Sequence, residues 1–463
     1  MLNQELPIAV IGAGPVGLAA AAHLIRRGAK PIIFESGPLP GHAVRQWQHV
    51  RMFSPWRYNI DTASRALLEQ TDWQAPDLGH HPTGGELVRD YIKPLAAVPA
   101  IRDALVLNAR VVAVGRRGFD KVRSAGRDEA PFILTVSGVD GRQSNVEVRA
   151  VIDASGTFGS PNPAGAGGVP AVGESSAQAR IFHGMPDVLG VERPRYAGRR
   201  VLVIGSGHSA MNALLDLVAL RQQEPATRVF WAMRRADIGS VYGGGAADQL
   251  PERGQLGLRA RAIVESGQAD VLAPFRVMSI EKQPDGLKVV GETGCCAKTC
   301  KVDEIVVATG FRPELDFLRE VRLSLDPALE CAAALGPLID PNVHSCGTVR
   351  PHGHAELRHP EKDFYIVGMK SYGRAPTFLL ATGYEQVRSV VAALAGDFQA
   401  AARVELCLPE TGVCSGPQVA TAAEAADSCC GPTQAPAPAE ASGCCGPAKP
   451  RVRVEARVKQ ASA

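Results

Sequence analysis

The chain has 463 residues, enough for about three domains of ordinary size. Hydrophobic residues make up 45% and charged residues 21%, values typical of a globular protein that exclude wholesale disorder. Fifty Lys and Arg against 47 Asp and Glu leave a formal net charge of +3, so neither a nucleic-acid partner nor an acidic membrane surface is expected.

Two further features bear on where the protein works. The N-terminal apolar stretch lacks a basic leader and is interrupted by glycines, which argues against a signal peptide or a membrane span. Most of the 11 cysteines lie in pairs or near the C-terminus, unlike the disulfide framework of a small secreted domain. We therefore expect a cytoplasmic monomer or homodimer that acts on a small molecule.

Residues 7–36 predict the first dinucleotide-binding unit, with the order strand, tight turn, helix and strand. In its glycine motif, Gly12 permits the sharp turn, Gly14 lets the backbone approach a pyrophosphate, and Gly17 allows close helix packing. Glu35 ends the next strand, where an acid can accept hydrogen bonds from ribose hydroxyls. The predicted cofactor contacts here are Gly12, Gly14, Pro15, Gly17 and Glu35.

The same pattern recurs at 199–235 and predicts a second unit. Its glycine motif is Gly205, Ser206, Gly207, His208, Ser209 and Ala210, and the fingerprint tolerates the terminal alanine. The following strand leads into Arg234 and Arg235, where a site for NAD would carry an acid. Guanidinium groups suit the 2′-phosphate of NADPH; the alternative is a solvated basic strand end.

The remaining elements come in two groups. Alternating apolar residues predict strands within 105–155 and strand pairs around 286–310, and a final helix is expected over 376–395, beginning at Pro376. From residue 409 the composition becomes rich in Cys, Pro and Ala, which predicts a disordered tail over 409–463.

Two dinucleotide sites, the first with an acid, point to FAD first and NADPH second. Over about residues 5–400 the sequence resembles class B flavin-dependent monooxygenases, in particular those found among arsenic-resistance genes. The resemblance rests on the glycine motifs and on VIDASGTFGSPN (151–162), VVATGFRP (306–313) and YIVGMKSYGRAPTFLLATGYEQVRS (365–389). It implies an α/β fold with two Rossmann-like three-layer domains: 1–165 and 313–408 for FAD, and 166–312 for NADPH.

The resemblance also implies site residues. Gly156 and Gly310 occupy the turns that return the chain between the two domains. His183, in AQARIFHG (177–184), matches part of a family fingerprint and is either a domain-coupling residue or a structural histidine. The family places Arg374, Ala375, Pro376 and Thr377 near the isoalloxazine, and Gly368-Met369 stands where related disulfide reductases often carry Gly-Asp.

An aromatic cluster follows the first unit. Trp47, Phe53, Trp56 and Tyr58 either wall a flavin or substrate pocket or anchor a loop in the core, and Trp56 is the candidate for cofactor contact.

Cysteines and histidines give two weaker signals. Cys295, Cys296 and Cys300 are expected at a hairpin tip, where three thiolates could bind a trivalent metalloid. The alternative is that they are surface cysteines without a ligand. Histidines 344, 352, 354 and 359 favour a solvated polar loop over a proton relay or ligand set.

These features favour an NADPH-dependent FAD monooxygenase that activates oxygen and oxygenates a small soft nucleophile, with arsenite or an organoarsenical as the candidate. No side chain is assigned as catalytic acid or base. The main alternative is a flavin-dependent disulfide or metalloid reductase that passes electrons to cysteine pairs, and the third is a flavoprotein that sequesters a metalloid.

Overall fold

The structure, a computed structural model, describes residues 5–243, 251–294, 296–344, 350–376 and 378–406. The predicted tail, 409–463, lies outside these ranges, as do Thr377 and Cys295. None of the described helices is long and apolar enough to cross a bilayer.

The strands of the described residues are β1 Ile8–Ile11, β2 Pro31–Phe34, β3 Leu105–Val106, β4 Arg110–Arg116, β5 Phe132–Ser137, β6 Gln143–Val148, β7 Ala150–Asp153, β8 Ile181–His183, β9 Arg200–Ile204, β10 Arg228–Ala232, β11 Asp270–Leu272, β12 Arg276–Gln283, β13 Gly286–Thr293, β14 Cys296–Val302, β15 Glu304–Val307 and β16 Phe364–Ile366. The α-helices are α1 Pro15–Arg26, α2 His42–Arg45, α3 Thr62–Leu68, α4 Gly84–Leu87, α5 Lys93–Ala97, α6 Pro99–Arg102, α7 Arg193–Tyr196, α8 His208–Gln223, α9 Pro251–Glu265, α10 Gly336–Ile339, α11 His354–Leu357, α12 Leu380–Leu394 and α13 Phe398–Ala402. Two short 3₁₀ helices, Trp56–Tyr58 and Gly368–Tyr372, also bear on the site.

The first unit is built on a parallel five-stranded sheet in the order β16-β7-β1-β2-β3. Strand β1 lies at its centre and is buried at every position, as its uninterrupted apolar sequence requires. Pro15 opens α1, and Gly28 follows the helix with a φ of 73° that favours glycine. Antiparallel strands β4, β5 and β6 form a second sheet that shares a buried core with the first.

The second unit repeats this plan. Its parallel sheet has the order β11-β10-β9-β15-β8, and helices α8 and α9 pack together beside it. Strands β12, β13 and β14 form a separate antiparallel sheet. The predicted α/β fold with two Rossmann-like units is confirmed.

The final helix begins later than predicted. Helix α12 starts at Leu380, not Pro376, and Leu379 before it is extended, with φ −112° and ψ 145°. The extended segment lets the Phe378 ring pack edge-on against Tyr372, with centroids 5.3 Å apart. The local preference for proline at the first helical position therefore does not decide where this helix begins.

The cysteine segment also differs from its prediction. Cys296 and Cys300 belong to strand β14, which pairs along its whole length with β13. The predicted hairpin tip therefore includes neither Cys296 nor Cys300.

Candidate functional site

The three glycines of the first turn lie in different surroundings. Gly12 has a φ of 101°, and a Cβ there would lie 2.7 Å from the Ala154 carbonyl oxygen. A Cβ on Gly17 would lie only 1.9 Å from the Gly12 oxygen, whereas one on Gly14 would meet no atom within 4 Å. Gly12 and Gly17 are thus required by packing, and Gly14 leaves room for a ligand at the N-terminus of α1.

This turn opens into a cavity of about 720 Å³. The cavity is lined by the ends of β1, β2 and β7, by α2, and by Gly368, Met369, Phe378 and Leu380. Its size is in the range of a site for a large cofactor.

Glu35 is buried and held firmly at this cavity. Its Oε2 accepts a hydrogen bond from the Ala13 amide at 2.9 Å, and Oε1 accepts one from the Gly37 amide at 2.8 Å. An ionised carboxylate has about four acceptor positions, so acceptor capacity remains for ribose hydroxyls. The geometry fits the role that the sequence predicts.

The end of β7 brings a group that the sequence analysis missed. Asp153 and Lys370 form a fully buried ion pair with an oxygen–nitrogen distance of 2.7 Å. Both contact Ser155, which lines the cavity together with Gly156. The sequence VIDASG does show an acid at the end of an apolar strand. It does not show which residue pairs with that acid, because Lys370 is 217 positions away.

The second glycine turn also has one closely packed glycine and one that faces open space. Gly205 has a φ of 135°, and a Cβ there would lie 2.3 Å from the Ala308 oxygen. A Cβ on Gly207 would meet no atom within 4 Å. Gly207 caps α8 and lines a second cavity, of about 490 Å³, together with Ser206, His208 and Ser209; Ala210 is buried in the helix core.

The two predicted arginines lie differently. Arg234 lines the second cavity, and its Nη1 donates to the Ala166 carbonyl oxygen at 3.1 Å. That bond connects it to the loop Asn162–Gly168, which forms another wall of the cavity. Arg235 is exposed and does not line the cavity.

The two cavities meet at Met369, which lines both. In addition, Phe158 of the first cavity stacks on Phe311 of the second, with ring centroids 5.1 Å apart. Met369, Phe158 and Phe311 thus place apolar side chains where the two cavities meet. The sequence analysis singled out neither phenylalanine, because a lone aromatic residue carries no local signal of a cavity wall.

The other predicted contacts are divided between the two cavities and the core. Gly156 lines the first cavity, and Gly310, Arg374, Ala375 and Pro376 line the second. Arg374 pairs with Glu330, with Nε and Oε2 2.9 Å apart. Trp56 is only 1% exposed and packs in the first core, which supports a loop anchor over a cofactor contact.

The cysteine cluster is dispersed in the described part of the chain. Cys296 is exposed and Cys300 is buried, four positions apart in an extended strand, a span of about 13 Å. Burial raises the pKa of the Cys300 thiol to about 11, so it remains protonated near neutral pH. The described residues contain no group of three or more His, Cys, Asp or Glu that could hold a metal ion.

The histidines depart from the predicted solvated loop. His352 and His359 are buried, and burial lowers the pKa of each to about 4. His344 is bonded to the Pro337 carbonyl at 2.8 Å, and burial lowers the pKa of His354 and of His183. His352 and His359 are therefore neutral near pH 7.

Comparison with known proteins agrees with this architecture. A family profile described as NAD(P)-binding Rossmann-like domain matches residues 10–75. A flavin-containing monooxygenase of Aspergillus flavus is 26% identical over 226 residues, which cover 47% of this chain and 51% of that protein. The chain thus spans about half the length of this curated relative.

Solved structures share the fold over most of the chain. The bacillithiol disulfide reductase of Bacillus cereus has a TM-score of 0.64 at 18% identity, covering 84% of this chain and 99% of its own. The cadaverine monooxygenase of Erwinia amylovora, solved with bound FAD, has a TM-score of 0.60 at 12% identity, covering 87% and 99%. At these identities the likeness establishes the fold alone.

Proposed function

We propose that this two-domain flavin-dependent oxidoreductase, which uses FAD and NADPH, is a monooxygenase of a small soft nucleophile. The observation that carries the proposal is the meeting of two glycine-turn cavities at Met369 and the Phe158–Phe311 stack. A nicotinamide and a flavin held in neighbouring cavities with an apolar boundary suit hydride transfer away from water.

In the first cavity the chain's contribution is binding and orientation. The N–H groups at the start of α1 would face the pyrophosphate, and Glu35 would accept from the ribose. FAD, when bound, supplies hydride acceptance and oxygen activation. Helix α12, which begins at the cavity wall, would present its positive end to the charge that develops on reduction.

In the second cavity the turn at Gly205–Ala210 would hold the NADPH pyrophosphate at the start of α8. Arg234 already lines this cavity and would pair with the 2′-phosphate. Its contact with Ala166 would then connect nucleotide binding to the loop Asn162–Gly168.

The substrate proposal follows from the boundary. Phe158, Phe311 and Met369 present apolar or polarisable surfaces with no formal charge, which suits an uncharged substrate with a soft lone pair. Arsenous acid, the uncharged form of arsenite, and methylated trivalent arsenicals have this character and agree with the family that the sequence resembles. The arsenical therefore remains the first substrate to test.

The reductase alternative has less support. Electron transfer to a disulfide or metalloid needs a cysteine pair beside the flavin, and the described Cys296, Cys300 and Cys331 line neither cavity. Burial also raises the pKa of Cys331 to about 12, which disfavours the reactive thiolate. The paired cysteines of the tail lie outside the described residues.

The test is an oxygen-isotope balance with the full chain. Turnover of NADPH under ¹⁸O₂ with arsenite, methylarsonous acid or dimethyl sulfide should place one labelled oxygen in the product, with the other leaving as water. Each product should consume one NADPH, and NADH should work less well. Arg234→Ala should lower the ratio of kcat/KM for NADPH to kcat/KM for NADH. Arg235→Ala is the matched control and should leave this ratio unchanged.

Two results would count against a monooxygenase. One is NADPH consumption that yields hydrogen peroxide and no labelled product with each of the three substrates. The other is turnover that continues without oxygen when a disulfide is supplied, which would support the reductase.

A further inference from the structure

Lys370 lies fully buried beside the first cavity and has no role in the binding scheme above. Neither its side chain nor that of Asp153 is exposed, and the Lys370 Nζ lies 2.7 Å from Asp153 Oδ2. Because burying two charges is costly, an apolar pair of similar volume often stabilises a core equally well. The directional bonds of the pair therefore explain its presence better than net stability does.

These bonds converge on Ser155. Asp153 Oδ1 accepts from the Ser155 amide at 3.0 Å and from the Ser155 hydroxyl at 2.6 Å. The Lys370 ammonium donates to the same hydroxyl at 3.1 Å. The hydroxyl thus donates to one member of the pair and accepts from the other, which fixes its rotamer and the backbone next to it.

The backbone that follows forms part of the cavity. Gly156 has a φ of 70°, and a Cβ there would meet no atom within 4 Å. Ser155 and Gly156 both line the first cavity. The shape of this turn therefore depends on bonds made beneath it by Asp153 and Lys370.

Lys370 also belongs to a second wall of the same cavity. It lies in the 3₁₀ helix Gly368–Tyr372, whose Gly368 and Met369 line the cavity. Its ammonium lies 4.5 Å from the ring centroid of Phe317, another lining residue. The ion pair thus fastens two cavity walls that are 217 positions apart in sequence.

We propose that Lys370 is a positioning residue which, through Asp153 and Ser155, holds the Ser155–Gly156 turn in the shape that receives the flavin nucleotide. The inference rests on the proposed FAD site. It assigns Lys370 no contact with the reacting atoms.

The test compares FAD release with thermal stability in the full-chain holoprotein. Lys370→Met leaves a buried charge and should both lower Tm and speed FAD release. Lys370→Met combined with Asp153→Asn removes both charges, so Tm should return towards wild type while FAD release stays at least about tenfold faster, a difference of about 1.4 kcal/mol. Release is followed by the rise in flavin fluorescence after dilution.

A second buried pair provides the control. Arg388 and Glu385 on α12 are 2.6 Å apart and line neither cavity. Arg388→Met alone leaves the Glu385 carboxylate buried without its partner, so it should lower Tm without changing FAD release.

The outcomes separate the two proposals. Wild-type release from the Lys370/Asp153 double variant would overturn the positioning role while leaving the FAD site intact. If the double variant does not fold, Ser155→Ala replaces it, with faster release supporting the role and wild-type release overturning it. Wild-type protein that binds no FAD would overturn the proposed site itself, and the Lys370 inference with it.

Discussion

At the scale of single residues, glycines of one motif have different physical duties. Gly17 has its hydrogen directed at the Gly12 oxygen, while Gly14 faces open space in the cavity. Substitutions at these positions should therefore separate folding from binding.

Gly14→Val should give a folded but colourless protein, with flavin content lowered about tenfold or more, because the branched side chain enters the pyrophosphate position. Circular dichroism and the flavin-to-protein ratio check this expectation. The matched variant Gly207→Val should keep its flavin but lose reduction by NADPH. Full flavin content in Gly14→Val would refute the site, and Gly17→Val should instead fail to fold.

At the scale of secondary-structure elements, helix α8 carries an acid in an unfavourable setting. Burial raises the pKa of Asp216 to about 6; Arg259 on α9 lowers it and Asp187 raises it. The unfolded chain, with a pKa near 3.8, releases this proton first as pH rises. Stability from this group is therefore lost between about pH 4 and 6 and stays lower above pH 6.

Asp216→Asn should thus stabilise the protein by about 1–3 kcal/mol above pH 6 and have little effect near pH 4. Denaturant unfolding at both pH values measures this. Asp303→Asn serves as the opposite control, because contacts with Arg200 outweigh burial and lower the Asp303 pKa. Asp303→Asn should lower the free energy of unfolding at neutral pH. If Asp216→Asn instead raised the free energy of unfolding only at pH 4, the raised pKa of Asp216 would be contradicted.

At the scale of the whole molecule, one segment joins the two units. Trp56 anchors it in the first core, whereas Phe53 packs against the second core, with its ring centroid 5.3 Å from that of His208. His208 begins α8 and lines the second cavity. The segment therefore contacts both units and helps to hold the second cavity next to the first.

Phe53→Ala should leave FAD content unchanged but slow flavin reduction by NADPH about tenfold, since small misplacement of reacting groups has large rate effects. Anaerobic rapid mixing measures the reduction rate. Phe398, on α13, is 63% exposed, so Phe398→Ala is the surface control. In this variant NADPH should reduce the flavin at the wild-type rate. An unchanged rate in Phe53→Ala would show that the segment plays no part in hydride transfer.

The two Rossmann-like units and the turn and packing roles of Gly12 and Gly17 could be predicted from the sequence. These features are local: a sharp turn, an uninterrupted apolar strand and a helix start are decided by neighbouring residues. The start of α12 was predicted wrongly because the preference of Pro376 for a first helical position takes no account of side-chain packing, such as that of Phe378 on Tyr372.

Which side chains are buried and which contact one another could be read only from the tertiary structure. It placed Trp56 in the core, buried Cys300 away from Cys296 in β14, and brought Lys370 beneath the turn that follows Asp153. The position of Lys370 depends on which strand ends become neighbours. The parallel pairing of β16 with β7 brings together residues that no short-range pattern connects.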